Sequence, residues 1–114
     1  LITTNAVKIL FGLGNNLDDV KVVLGPSIGK CCFEIGSDVA QFFSQKNLHS
    51  KNESKFKLDL KSEILSELVS LGFVNKNIYI DDQCTFCEKE NFFSYRREGV
   101  ESGRMVAIMK VKTL

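Results

Sequence analysis

The chain has 114 residues, 44% hydrophobic and 25% charged, with 15 basic and 14 acidic side chains. That length suffices for one domain burying ~65% of its unfolded surface without disulfide staples, and a net charge of +1 supplies no general field for nucleic acid or an anionic membrane. Apolar runs such as Met105 to Met109 fall far below the ~20 residues of a membrane helix, and no basic stretch leads into an apolar one with a cleavage site, so a cytoplasmic location is expected.

In chain order, Leu1 to Leu13 places Ile2, Ala6, Ile9, Leu10 and Leu13 at helical spacing, with Thr3, Thr4 or Asn5 to cap it and Gly12 and Gly14 to end it. An apolar helix face opening the chain, with no start methionine, suggests a missing upstream segment. Val20 to Leu24 is a β-branched run closed by Gly25-Pro26, the pattern of a buried strand ending in a turn. A glycine-punctuated loop, Pro26 to Glu34, follows. Ser37-Asp38 is then expected to cap a helix through Phe43, with Val39, Phe42 and Phe43 inward.

Gln45 to Lys55 is polar and reads as a solvated loop carrying the only histidine, His49. Asp59 caps an amphipathic helix whose Leu60, Ile64, Leu65, Leu68 and Leu71 share one face, stopped by Gly72. Asn77 to Ile80 makes a short strand, Asp81 to Asn91 a polar cysteine-bearing loop, and Phe92 to Arg97 and Met105 to Val111 two further strands. The order predicts an α+β fold, one sheet with helices packed on it, with too few strands to close a barrel.

Two groups of residues carry possible chemistry. Cys31-Cys32 and Cys84-x-x-Cys87 invite a zinc reading. Adjacent cysteines, however, have side chains that diverge, and a zinc knuckle separates its ligands by two to four residues. Free thiols, buried or lining a site, are therefore expected, with no metal held by this chain. Arg96 and Arg97 follow Ser94-Tyr95 on the expected strand, where alternation turns only one of the two toward a given pocket. An arginine fork suits phosphate or carboxylate, and surface pairing with Asp81, Asp82, Glu88 or Glu98 is the alternative. His49 has no carboxylate or cysteine motif around it, which argues against a Cys-His nucleophile or a histidine-based metal centre within the chain.

Gly25-Pro26-Ser27-Ile28-Gly29-Lys30-Cys31-Cys32-Phe33-Glu34, Asp59-Leu60, Cys84-Thr85-Phe86-Cys87, Phe92 to Gly99 and Gly103-Arg104-Met105 stand together in one order. In that order they resemble the YfiH-type family, also called the laccase-domain or multicopper polyphenol oxidoreductase family. The match runs from about Val22 to Met109 and resembles the C-terminal half of a usual member, so residues 1–114 are expected to be the C-terminal portion of a single YfiH-type domain.

The resemblance implies an α+β fold with a mixed sheet, similar to a bacterial deamidating toxin domain and incomplete relative to the family. It also implies metal-dependent purine nucleoside chemistry: phosphorolysis of adenosine, inosine or methylthioadenosine, adenosine deamination, and in older usage laccase-like phenol oxidation. Zinc or copper is the family's metal, held by two histidines and a cysteine upstream that have no counterpart here, so this chain alone is expected to be inactive. A non-catalytic anion- or nucleotide-binding module is the other reading. Carried over by motif position, Arg97, then Arg96, and Cys32 are the expected substrate-binding residues, with Gly25, Gly29, Cys31, Cys84, Cys87 and Tyr95 supporting the loops. Expected partners are a purine nucleoside and phosphate, together with the missing N-terminal half or a second copy of the chain.

Overall fold

A computed structural model describes residues 2–112. Of the expected first helix, Leu1 lies outside the described residues and Ile2–Gly12 forms α1, with Leu13 past its end and the expected cap residues Thr3, Thr4 and Asn5 within it. Its end is closed by Gly14 at φ 84°, with the Asn15 N–H donating to Leu10 O, the left-handed stop that glycine permits. β1 (Val22–Leu24) follows. Downstream, α3 (Leu60–Ser70) starts where Asp59 accepts a hydrogen bond from the Ser62 N–H and stops before Gly72 at φ 106°, as the capping pattern predicts.

α3 lays Leu68 against Val7 of α1, Leu17 and Phe73, with Val22, Leu24, Ile64 and β5 (Ile78–Ile80) completing a first core. β1 and β5 pair in parallel, Val22 opposite Ile78 and Leu24 opposite Ile80. The two segments stay together beyond the strands, since Asp81 N–H donates to Leu24 O at 2.9 Å and Thr85 N–H to Ser27 O at 3.1 Å. This continued pairing carries loop 25–33 alongside loop 81–91.

A second core is built by residues whose strands the sequence pattern does not announce. β2 (Glu34–Gly36), β3 (Leu48–Asn52) and β4 (Lys55–Leu58) form an antiparallel sheet in the order β2-β4-β3. The stretch Gln45 to Lys55, expected as a solvated loop, is thus largely a hairpin strand whose polarity reflects an exposed face. Its turn closes when the Ser54 N–H and hydroxyl donate to Asn52 Oδ1, a side chain replacing a backbone turn bond. Leu58, fully buried, packs with Ile35 and Ala40 against Phe33, Phe43, Leu48, Phe56 and Leu60. The fold is α+β with both parallel and antiparallel pairing, but among the described residues it forms two small sheets rather than the expected single one.

Three expected elements are corrected. α2 is only Ser37–Ala40, capped by the Gly36 backbone without a side-chain bond. Past Ala40 the chain curls so that Phe43 joins the second core while Phe42 is 69% exposed and Val39 also faces solvent. Phe92 to Arg97 is not a strand: Tyr95–Glu98 forms a helical turn, α4, entered when the Glu98 carboxylate accepts from the Ser94 N–H and left through Gly99 at φ 65°. Met105 to Val111 has no ladder partner among the described residues, and Ile108 and Met109 are 90% and 88% exposed. An apolar β-branched run becomes a strand only where a neighbour takes its N–H and C=O groups.

Candidate functional site

The parallel pairing brings the two cysteine-bearing loops into contact. Residues Gly29 to Phe33 wind into one tight turn, with Cys32 N–H and Phe33 N–H both donating to Gly29 O at 3.0 Å. In such a turn consecutive side chains are about 100° apart rather than on opposite faces. Cys31 and Cys32 therefore reach the same side. Across from them, Cys84 and Cys87 lie on a second turn closed by Glu88 N–H to Cys84 O at 3.0 Å. The four sulfur atoms all lie within 4.8 Å of one another, with Cys87 Sγ 3.7 Å from Cys31 Sγ and 3.4 Å from Cys32 Sγ. The expectation that adjacent cysteines diverge is overturned by this winding.

Cys84 is buried, Cys32 half-buried, and Cys31 and Cys87 exposed. Desolvation pushes the Cys84 thiol upward, but N–H groups of Gly29, Cys87 and Phe86 directed at its sulfur outweigh this and bring it down to about 6. Desolvation, and then the neighbouring thiols of Cys87, Cys31 and Cys84, push Cys32 up. Cys87 is drawn down by Cys32 yet held above its usual value by Cys31, Cys84 and desolvation. Gly29 donates its N–H to Cys84 Sγ at 3.2 Å, and an added Cβ there would sit 3.3 Å from both Cys31 Sγ and Cys84 Cβ. Gly29 thus favours the close approach, since a Cβ would make the two cysteines give way by a few tenths of an ångström. Gly25 has no such role, because a Cβ there meets nothing within 4 Å.

Cations brace this pair of loops through backbone carbonyls. Lys57 Nζ donates to Cys31 O at 2.8 Å, and Lys61 Nζ donates to Asp81 O and, at 3.0 Å, to Gln83 O. Arg97 Nη1 donates to Thr85 O at 2.8 Å and Phe86 O at 2.7 Å, while its Nη2 takes Phe92 O at 2.7 Å and Glu98 Oε1 at 2.9 Å. The guanidinium in turn holds the Glu98 carboxyl below its ordinary value. Arg96 donates to Glu34 O at 2.8 Å and stacks over the Phe33 ring at 5.1 Å. Glu34, bonded by Lys51 first and then Lys55, is lowered to about 2. Because α4 is helical, the strand alternation that allowed only one arginine to face a pocket does not apply.

Beside α4, an open cleft of about 330 Å³ is lined by Phe93, Tyr95, Ser102, Gly103, Arg104 and Met105. Tyr95 is half-exposed there with the Arg104 guanidinium over its ring at 5.8 Å. Gly103 lies against the face of Phe93, where an added Cβ would come within 2.7 Å of ring atoms. Cys32 and Arg97 do not line this cleft. His49 is an exposed residue of β3, so the family's implied histidine-based metal centre does not fit the residues present here. The roles of Lys57 and Lys61 leave no trace in the sequence, since each sits in an ordinary polar position of its element. Arg104 was legible there as a third arginine near Arg96 and Arg97, in the Gly103-Arg104-Met105 motif, but not its place over Tyr95.

A profile described as multi-copper polyphenol oxidoreductase laccase matches residues 1–112. The chain is 33% identical over 98 residues to purine nucleoside phosphorylase YlmD of Geobacillus stearothermophilus, covering 80% of this chain and 36% of that protein. It is also 33% identical to adenosine deaminase RL5 of an unknown prokaryotic organism, covering 80% of this chain and 37% of that one. The crystal structure of YfiH from Bacillus licheniformis superposes with a TM-score of 0.79 at 32% identity, over 84% of this chain and 39% of that chain. The chain spans well under half the length of these relatives. On the profile match, the shared motifs and the superposition together, the chain belongs to the multi-copper polyphenol oxidoreductase laccase family, the YfiH-type proteins.

Proposed function

We propose that residues 1–114 contribute one side of the active site of a purine nucleoside enzyme, a phosphorylase by first reading, and form the C-terminal portion of one YfiH-type domain. Support comes from the relatives named for phosphorolysis and deamination of purine nucleosides. The observation that carries the reading in this chain is the cleft beside α4, where two aromatic rings and the Arg104 guanidinium share one open surface. A flat purine stacks on an aromatic face, and a guanidinium fork matches phosphate oxygens.

Phosphorolysis forms a bond from a phosphate oxygen to C1′ of the ribose and breaks the bond from C1′ to N9, the purine leaving with a proton. Catalysis then depends on cationic donors that hold the attacking phosphate. Arg104 is the proposed donor and Arg96 the second. Arg97, the first choice on motif position, is assigned instead to positioning, because both its terminal nitrogens are engaged, with four acceptors of the chain itself, whereas Arg104 meets Ser102 O and Gly103 O, and Arg96 meets Glu34 O, through Nη1. Zinc or copper, when bound by the family's upstream histidines and cysteine, would polarise a reacting oxygen or activate water. The residues described here bind and orient.

Supplying the complementary part of YlmD in trans tests this reading. The chain alone should form no ribose 1-phosphate from adenosine and phosphate, and the mixture should form it. Arg104→Ala should cut turnover by about tenfold or more, as loss of a charged donor does. Association of the two parts without turnover, or turnover unaffected by Arg104→Ala, contradicts the assignment.

A further inference from the structure

We propose that Cys31, Cys32, Cys84 and Cys87 form a tetrathiolate zinc(II) site that clamps loop 25–33 to loop 81–91 at the ends of β1 and β5. A zinc ion bound tetrahedrally by sulfur at ~2.3 Å sets its ligands ~3.8 Å apart. The sulfurs of Cys31 and Cys87 stand 3.7 Å apart, those of Cys32 and Cys87 3.4 Å, and all four within 4.8 Å. Small movements of side chains complete the polyhedron. Four protein ligands leave no position open, which assigns the ion to holding the fold together rather than to catalysis.

Packing does not explain the cluster. Cys31 and Cys87 are exposed and bury little apolar surface, so hydrophobic burial gives no reason for four sulfurs to converge. The surroundings suit thiolates bound to a cation: the Gly29 N–H donates to Cys84 Sγ at 3.2 Å, a supporting bond of the kind that orients metal ligands. A tetrathiolate site also carries net negative charge. Lys57 on Cys31 O, Lys61 on Gln83 O and Arg97 on Thr85 O and Phe86 O bring positive charge to both loops. Zinc is favoured over copper(I) because four convergent thiolates in a tetrahedral arrangement match its preferred structural site. Binding releases the thiol protons to solvent and changes no oxidation state.

The site is independent of the nucleoside chemistry, and its test reads no activity. The full chain, purified in reductant, should hold one zinc per molecule by elemental mass spectrometry. Cobalt(II) added to the stripped protein should give the intense visible bands of tetrahedral thiolate coordination. Stripping should raise amide exchange in residues 26–34 and 81–91 together. The Cys32→Ser/Cys87→Ser double variant should lose more affinity than the ~10–100-fold typical for removal of a supporting partner. If that variant fails to fold, the cobalt spectrum of the unaltered chain still decides. Absence of both zinc and cobalt bands in folded, reduced protein overturns the proposal. So does zinc binding that survives in a folded double variant, or a spectrum of octahedral oxygen coordination.

Discussion

Arg97 directs its guanidinium at the chain's own backbone, taking Thr85 O and Phe86 O from the loop that carries Cys84 and Cys87, Phe92 O just after it, and one carboxylate oxygen from Glu98. Its side chain is only 18% exposed, so water does not readily replace those bonds. Hydrogen bonds to charged groups contribute ~1.5–3 kcal/mol each, and stranded acceptors add to the loss. Arg97→Ala is therefore expected to cost ~2–4 kcal/mol, measured as a fall in the urea midpoint with the slope unchanged. Arg97→Lys keeps the charge but not the fork and should recover less than half. An unchanged midpoint in Arg97→Ala would remove the bracing role.

The same residue shows where reading from sequence stops. Arginine beside a Ser-Tyr motif marks a site, but neither spacing nor propensity tells whether the fork meets a ligand or carbonyls 5 to 12 residues away. The adjacent cysteines carry the same lesson. Their divergence holds for a strand, and the turn from Gly29 to Phe33 makes them neighbours. Gly29 itself was legible as a loop glycine, while its reason, the two sulfurs at its back, depends on a segment 55 residues away.

At the scale of elements, α3 was the most legible because its signals are local. Asp59 bonds the first turn and Gly72 stops the last, while Ile64, Leu68 and Leu71 turn to the first core and Leu60 to the second. Asp59→Ala should destabilise by ~1 kcal/mol through the lost cap, and Leu68→Ala by ~2–5 kcal/mol through the lost contacts and cavity. Chemical denaturation of both variants measures the ratio. A cap variant costing more than the core variant would contradict the packing described. β3 was hidden because beyond Leu48 both of its faces are exposed, so His, Ser, Lys and Asn leave no alternation to read, whereas Lys55-Phe56-Lys57-Leu58 of β4 does alternate and was passed over as a strand too short to stand out. α4 was misread because Phe-Phe-Ser-Tyr has strand propensity, while the turn is fixed by the Glu98 carboxylate on Ser94 N–H and by Gly99. Propensity yields to such local bonds.

For the whole molecule, α3 serves both cores, Leu68 packing in the first and Leu60 in the second, and the clustered thiols sit where the paired loops leave β1 and β5. The motifs revealed the family and mixed α+β class from sequence. They did not reveal the division into two small sheets, which depends on the register of β2 with β4. The apolar segment Met105 to Val111 has no strand partner among the described residues and is largely exposed, and exposed apolar surface of this kind favours association.

The most direct measurement is formation of ribose 1-phosphate from adenosine and phosphate by a chimera in which residues 1–112 replace the matching segment of YlmD. Turnover within about tenfold of YlmD itself is expected, falling by a further ~10-fold or more when Arg104 is replaced by Ala. A folded, metal-loaded chimera that leaves adenosine intact would contradict that expectation.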